Sequence, residues 1–147
     1  MKISGSYTMQ AARQAVWDKL IDPDAIAGCL PGVEELTKVG DNEFTMAMTV
    51  GIGPVRGTYA GKVTLANLNP PESYEMQVEG SGRPGFVKGS GQIHLAQGVG
   101  GGTAITYEGD VEVGGPVGSV AQRMLGGVAR RMIEQFFGCI EKQITGG

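Results

Sequence analysis

Residues that could perform acid–base chemistry are few in this chain and lie apart from one another. His94 is the only histidine, and it falls on the polar phase of an alternating, strand-like segment. Glu108, Asp110 and Glu112 alternate along another such segment. Because successive strand residues point to opposite faces of a sheet, both sets are expected to face solvent. No Ser-His-Asp set and no metal-ligand spacing is visible, so the sequence predicts neither a catalytic residue nor a metal site.

The two cysteines, Cys29 and Cys139, lie outside any CxxC motif. They are predicted to be free thiols that fill the core as small hydrophobes in a reducing compartment. The N-terminal segment lacks the basic and apolar regions of a signal peptide. No apolar run approaches the ~18 residues of a transmembrane helix. These features together predict a cytoplasmic protein.

The composition of the 147 residues fits one globular domain with a sizeable core. An apolar content of 41% and a charged content of 18% argue against disorder. A net charge of −3 argues against a nucleic-acid partner, which calls for a basic stripe. The unusual count is that of glycine, at 26 residues, and these glycines lack the regular period of collagen.

The hydrophobic periodicity predicts how the elements follow one another along the chain. One strand at Lys2–Tyr7 precedes two short helices, within 11–20 and 23–28, and a long amphipathic helix covers 117–144. An antiparallel sheet with one long helix to bury must curl around it. The prediction is an α+β grip over residues 1–147, with a seven-stranded curved antiparallel sheet around the C-terminal helix. The six strands between the short helices and the long helix are expected at 33–39, 43–52, 55–65, 73–80, 86–96 and 103–113.

Glycine occupies the apolar phase of several strands, where a core-filling side chain is expected. A missing side chain there either lets the sheet bend or leaves space inside it, and the sequence leaves both alternatives open. Inside the long helix, Gly126 and Gly127 each cost about 1 kcal/mol relative to alanine, which predicts compensation by close packing or by a ligand. The strand glycines concerned are Gly5, Gly57, Gly61, Gly80, Gly89, Gly91 and Gly109.

Two hairpins have a register that follows from their turns. A two-residue turn at Gly53-Pro54 sets the first hairpin, and a loop centred near Gly100 sets the last one. We expect the glycine pair of the last hairpin, Gly91 and Gly109, to leave open volume on the inward face. The expected pairs are Val50 with Gly57, Met48 with Tyr59, Met46 with Gly61, Gly91 with Gly109, Ile93 with Tyr107, and Lys88 with Glu112.

The methionines suggest what surrounds that volume. Methionine is flexible and polarizable and suits adaptable apolar binding surfaces, and several of the seven methionines fall on inward phases. Tyr59 and Tyr107 would add hydroxyl groups able to orient a polar head group. The sequence therefore predicts an apolar cavity between the sheet and the long helix. Its predicted ligand-binding residues are Met46, Met48, Tyr59, Met76, Phe86, Gly91, Ile93, Tyr107, Gly109, Leu125, Val128, Met132 and Phe136.

A series of short segments spread over nearly the whole chain resembles the carbon monoxide dehydrogenase CoxG family of the START-like (SRPBCC) superfamily. No segment is distinctive alone, but their order and spacing are specific. The segments are Val16-Trp17-Asp18 with Leu20, Asp22-Pro23, Cys29-Leu30-Pro31-Gly32-Val33, Gly51-x-Gly53-Pro54-Val55-x-Gly57, Gly61-Lys62-Val63, Pro71-Glu72-Ser73-Tyr74, Lys88-Gly89-Ser90, Gly102-Thr103, Tyr107-Glu108-Gly109 and Gly114-Gly115.

The resemblance implies a helix-grip fold and a non-catalytic accessory protein of molybdenum hydroxylases, above all aerobic carbon monoxide dehydrogenase. It implies that the cavity holds an apolar isoprenoid quinone such as menaquinone, with no covalent cofactor, and supplies it to that enzyme as electron acceptor. Members are associated with recruiting the enzyme to the cytoplasmic face of the membrane, so the membrane quinone pool is a further implied partner. Many members carry a C-terminal extension that could contact the membrane, and the present sequence stops at Gly147.

Two other classes of function are compatible with the same fold. A cyclase- or hydrolase-type enzyme would need a polar, pKa-shifted group inside the cavity, and the inward phases contain almost none. A general lipid-binding protein or an adaptor would act without a quinone. In the adaptor the cavity would be collapsed, with the long helix packed tightly on Gly57, Gly61, Gly91 and Gly109. We expect the quinone-binding accessory protein.

Overall fold

Within residues 2–30, 33–50, 57–82, 85–114 and 118–146, which the computed structural model describes, the chain forms seven strands and three α-helices. The side chains of residues 34, 35, 50, 113, 118–126 and 128 lie outside this description. The strands are β1 (Lys2–Met9), β2 (Val33–Gly40), β3 (Glu43–Val50), β4 (Gly57–Asn69), β5 (Ser73–Gly82), β6 (Gly85–Gln97) and β7 (Thr103–Gly114). The helices are α1 (Arg13–Leu20), α2 (Pro23–Cys29) and α3 (Gly118–Thr145).

The strands form one antiparallel sheet in the order β1-β7-β6-β5-β4-β3-β2. β1 and β2 are therefore its edges, and α1 and α2 carry the chain from one edge to the other. β1 pairs with β7, so the first and last strands are neighbours. This topology confirms the predicted fold class, because one long helix follows a sheet whose strands are joined mainly by hairpins.

The two short helices begin in different ways. α2 has Asp22 as its N-cap, and the backbone N–H of Asp24 donates a hydrogen bond to the Asp22 carboxylate at 3.0 Å. Proline follows at the first helical position, where its missing N–H costs nothing. α1 has no side-chain cap at Ala12. Its apolar face, which buries Val16 and Trp17, holds it in place instead.

Both predicted hairpin registers are confirmed. In the β3–β4 hairpin, Met48 faces Tyr59 and Met46 faces Gly61. In the β6–β7 hairpin, Gly91 faces Gly109 as expected. The remaining predicted pairs, Val50 with Gly57, Ile93 with Tyr107 and Lys88 with Glu112, also occur. The Gly53-Pro54 turn that predicted the first register lies outside the described residues.

The outer face of the sheet carries a row of charges that alternate in sign. Lys62, Glu79, Lys88 and Glu112 lie directly opposite one another across β4, β5, β6 and β7. Opposite charges at directly paired positions stabilise a sheet by roughly 0.2–1 kcal/mol per pair. Polar residues named above as solvent-facing, including His94, are exposed on this same face, which confirms their predicted direction.

Cys29 and Cys139 are joined by a disulfide between the end of α2 and the second half of α3. The prediction of two free thiols is therefore wrong. The two residues are 110 positions apart, and their Cα atoms lie 5.5 Å from each other, within the usual range for a bridged pair. Only the packing of α2 on α3 brings them together, and nothing in the local sequence of either cysteine indicates it.

Candidate ligand-binding face

The inner face of the sheet is the side that α3 covers. The aromatic ring of Phe137 in α3 contacts Tyr7 of β1 and Tyr107 of β7, with ring centroids 5.6 and 5.9 Å apart. Because side chains alternate along each strand, these contacts identify the inward phase of β1 and β7, and the strand pairing extends it to the other strands. The inner face is divided into two zones with different degrees of burial.

The first zone, called here the filled zone, is the well-packed core at one end of the sheet. The helices cover it with Trp17, whose ring meets Tyr74 edge-on at 5.4 Å, and with Phe137 and Ile140, which are 2% and 0% exposed. The strand side chains there are at most 8% exposed. They are Phe44, Leu65, Tyr74, Ile93, Leu95 and Ile105.

The second zone, called here the glycine zone, occupies the other end of the inner face. Except for Tyr59, which is 8% exposed, its residues are only half-buried although they face inward. The set combines flexible methionine, valine and glycine, which leave a surface that is apolar and low. Its members are Met46, Met48, Tyr59, Gly61, Met76, Val78, Gly80, Val87, Gly89, Gly91, Gly109 and Val111.

The structure places most of the predicted ligand-binding residues on the inner face. Ile93 belongs to the filled zone, and Tyr107 contacts Phe137 beside it. In α3, Met132 and Phe136 are half-buried, whereas the side chains of Leu125 and Val128 lie outside the described residues. The other predicted residues that fall in the glycine zone are Met46, Met48, Tyr59, Met76, Gly91 and Gly109. Their contact with a ligand stays a prediction.

Phe86 is a correction. It shares the outer phase of β6 with Lys88 and Ser90, and it is 37% exposed. Its ring lies over Gly114, the residue directly opposite in β7, where a Cβ atom would collide with it. The prediction that Phe86 lines the inner face is therefore wrong, because the alternation along β6 turns this side chain to the other side.

The glycines of the inner face separate into two groups. A Cβ atom at Gly61 would lie 2.6 Å from the Glu79 carbonyl oxygen, and one at Gly109 would lie 2.6 Å from the Ser90 carbonyl oxygen. At Gly80 and Gly89 the nearest atoms would be 3.9 and 3.7 Å away. The first group permits neighbouring backbones to approach closely as the sheet bends, and the second leaves room above the sheet.

This geometry corrects the expectation for the Gly91–Gly109 pair. A Cβ atom at Gly91 would lie 3.1 Å from the Glu108 carbonyl oxygen, and one at Gly109 only 3.2 Å from the Cα atom of Gly91. The missing side chains therefore serve the close approach of β6 and β7 and do not leave the open volume predicted for them. The atoms crowding Gly61 and Gly109 belong to the neighbouring strand rather than to α3, so the tight helix packing expected of an adaptor is not seen at these two positions.

The titratable side chains on the inner face of the described parts of β3–β7 are tyrosines. Burial raises the pKa of Tyr59, and burial together with the charge of Glu134 raises the pKa of Tyr107, with Arg130 opposing. Burial also raises the pKa of Tyr74. These hydroxyls are neutral at physiological pH, so they can donate hydrogen bonds but are poor proton acceptors. The Tyr107 hydroxyl lies over Gly5 of β1, at the sheet edge.

Phe137 is the core residue that the sequence analysis missed. It lies at the centre of the α3 face formed with Ile133, Ile140 and Ile144, at spacings of three and four residues. The predicted arc was centred on Phe136, which is half-buried and contacts Phe137 at 5.8 Å. The isoleucine spacing was the signal that could have identified the correct face.

Gly127 offers a direct test of what α3 meets at mid-length. It is exposed, and a Cβ atom there would have no neighbour within 4 Å, so close packing does not explain this glycine. We expect Gly127→Ala to raise the free energy of unfolding by about 1 kcal/mol, because alanine is the better helix former. Chemical denaturation of the two proteins measures the change, and a loss of stability would contradict this description of the helix surface.

Open grooves occur on the other side of the sheet. One of about 480 Å³ is lined mainly by polar residues of β5–β7, such as Glu79, Lys88 and Ser90. Another of about 510 Å³ lies beside Arg13 and His94. None of the predicted ligand-binding residues lines either groove. In the described ranges, no three His, Cys, Asp or Glu side chains are grouped so that they could hold a metal ion.

Known proteins give the same fold. A conserved protein from Geobacillus kaustophilus matches 99% of this chain and 96% of its own, with 36% identity and a TM-score of 0.95. A START superfamily protein from Mycobacterium smegmatis matches 99% and 97% with 12% identity and a TM-score of 0.78. A Thermus thermophilus protein matches 99% and 98% with 12% identity and a TM-score of 0.71. The last two share the START-like fold alone.

The family comparison agrees in extent with the structural one. No curated protein matches the sequence. The family model of CoxG, the G-type subunit of carbon monoxide dehydrogenase, matches residues 5–145, from β1 to the end of α3. This range includes both zones of the inner face and the helix that covers them. The chain belongs to the carbon monoxide dehydrogenase CoxG family.

Proposed function

We propose that this chain is a non-catalytic accessory protein that holds an apolar isoprenoid quinone, of the menaquinone type, against the glycine zone. It delivers the quinone to a molybdenum carbon monoxide dehydrogenase at the cytoplasmic face of the membrane. The observation that carries the proposal is the contrast between the two zones. Core side chains of the filled zone are at most 8% exposed, whereas the methionines and valines of the glycine zone are half-exposed beside them. An inward-facing apolar surface that the protein does not cover suits an apolar ligand.

The chemistry of the glycine zone favours a long, flexible hydrocarbon. Met46, Met48 and Met76 can adjust their side chains to a chain of varying shape. Gly80 and Gly89 keep the surface low where a ligand would lie. Among the described residues, no buried side-chain nitrogen or oxygen atom lacks a hydrogen-bond partner. Apolar contact, rather than a set of waiting polar groups, is therefore the expected source of affinity.

The absence of a suitable proton acceptor on the described inner face supports a binding role over an enzymatic one. The tyrosines there have a raised pKa, and His94 is exposed on the outer face. A hydrolase or cyclase would need an acid or base whose pKa lies near the working pH. The family name supports association with carbon monoxide dehydrogenase. In the described part of the chain, no helix is long and apolar enough to cross a membrane, so membrane contact would be peripheral.

The experiment is quinone uptake by the purified chain. The protein is incubated with a detergent-dispersed menaquinone, separated by gel filtration, extracted with organic solvent and analysed by mass spectrometry. We expect about one quinone per chain. Gly89→Leu should lower the uptake at least tenfold, because the new side chain would project into the glycine zone from a position with room for it.

Ser90→Leu is the matched control. It adds the same side chain to the next residue of β6, but on the exposed outer face. It should bind quinone as the unmodified chain does, and circular dichroism should show both variants folded. Uptake of phospholipid or fatty acid in place of quinone would instead support a general lipid-binding protein. Equal uptake by the Gly89→Leu and Ser90→Leu variants, or no uptake of any lipid by the unmodified chain, would refute the proposed site.

A further inference from the structure

The C-terminal half of α3 is fastened to the rest of the molecule on two opposite sides. On one side, the Glu141 carboxylate accepts hydrogen bonds from the Tyr7 hydroxyl at 3.2 Å and from the Gln10 backbone N–H at 2.7 Å. On the other side, Cys139 forms the disulfide with Cys29 of α2. Residues two apart on a helix point in nearly opposite directions, so the hydrogen bonds and the disulfide restrain different sides of α3.

The contact between α2 and α3 depends strongly on the disulfide. α2 has only seven residues, which is too short for a helix to be stable by itself. Besides the disulfide, its end is held by Gln143 of α3, whose amide donates to the Ala25 carbonyl at 3.4 Å and to the Cys29 sulfur at 3.0 Å. By contrast, α3 also rests on the filled zone through Phe137 and Ile140. Loss of the disulfide would therefore loosen α2 while α3 remains on the sheet.

We propose that Cys29 and Cys139 form a redox-controlled latch, which clamps α2 to α3 when oxidised and releases this contact when a dithiol reduces it. The proposal is independent of any bound quinone. Its setting would differ between reducing and oxidising surroundings, because intracellular thiol systems keep most cysteine pairs reduced.

The two sulfur atoms are unequally accessible, which suggests the order of the reaction. Cys139 is half-buried, whereas Cys29 is only 5% exposed. A thiolate of the dithiol attacks the Cys139 sulfur, the bond between the two cysteines breaks, and Cys29 leaves as a thiolate that takes up a proton. The second thiolate of the reductant then attacks the reductant's own sulfur in the mixed disulfide and releases Cys139. The dithiol becomes a cyclic disulfide, and the protein gains two electrons and two protons.

The first test measures thermal stability and thiol content of the full chain, prepared in air without reductant. We expect iodoacetamide to modify neither cysteine before treatment with dithiothreitol and both after it. Reduction should lower Tm by on the order of 10 °C, since the bond closes a large loop. The Cys29→Ser/Cys139→Ser variant should melt near the reduced chain and should not respond to dithiothreitol. Two reactive thiols in the untreated chain, or an unchanged Tm on reduction, would overturn the latch.

The second test locates the change by hydrogen–deuterium exchange. Reduction should accelerate exchange at least tenfold in α2 and in the adjoining part of α3, and should leave β4–β6 unchanged. Uniform acceleration over the whole chain would contradict a local latch and indicate a disulfide that only stabilises the fold. Neither test uses quinone, so failure of the quinone-uptake experiment would leave both results intact.

Discussion

Phe137→Ala should destabilise the protein by about 3–5 kcal/mol, a large part of the 5–15 kcal/mol typical of a domain. Phe137 is 2% exposed, and its ring contacts both Tyr7 and Tyr107. Its removal would leave a cavity where α3 meets β1 and β7. These contacts come from distant parts of the chain, so no local rearrangement can refill the space. Urea unfolding of the two proteins measures the difference.

Phe136→Ala is the control for this prediction. It removes the same ring from the neighbouring residue of α3, which is only half-buried, so the loss should be less than half as large. Equal losses for the two variants would mean that α3 is rotated relative to the face described here. A smaller loss for Phe137→Ala than for Phe136→Ala would restore the helix arc that hydrophobic periodicity first indicated.

Gly61→Ala should lower the free energy of unfolding by about 1–3 kcal/mol, the usual cost of forcing atoms into a packed site. Its Cβ atom would lie 2.6 Å from the Glu79 carbonyl oxygen. That oxygen belongs to the backbone of β5 and cannot turn aside as a side chain could. β4 and β5 would have to separate locally, and the hydrogen bonds between them would weaken. Chemical denaturation measures the change.

The matched variant is Gly80→Ala, since Gly80 is the direct partner of Gly61 across the two strands. Its Cβ atom would have 3.9 Å of clearance. We expect no loss of stability and a gain of up to about 1 kcal/mol, because alanine restricts the unfolded chain more than glycine does. If Gly80→Ala destabilised the protein as much as Gly61→Ala, the two groups of glycines would not differ, and the space assigned to the glycine zone would be filled.

The architecture and the strand pairing could be predicted because they depend on local patterns. A period of two residues and a short turn determine which residues face each other in a hairpin, as Met48 with Tyr59 and Gly91 with Gly109 illustrate. Phe86 shows the limit of this method. Its aromatic character suggested the interior, but its phase along β6 places it outside.

What the sequence could not predict depends on distances between elements. The bond between Cys29 and Cys139 requires α2 to pack against α3, and no local pattern states how two helices approach each other. The two roles of glycine are equally invisible in sequence. Gly61 and Gly80 look alike in the alternation, yet only the path of the neighbouring backbone decides that one is crowded and the other open.

The charge row on the outer face has a consequence for the fidelity of folding. If β5 slipped by two residues along β6, every side chain would keep its face, and glycines and small residues of the inner face would meet others of similar size. On the outer face, however, Glu79 would then lie opposite Phe86 or Ser90 instead of Lys88. The alternating charges thus distinguish the native alignment from its nearest competitors. Alignment is encoded on the outer face, which leaves the inner face free to be smooth, small and apolar.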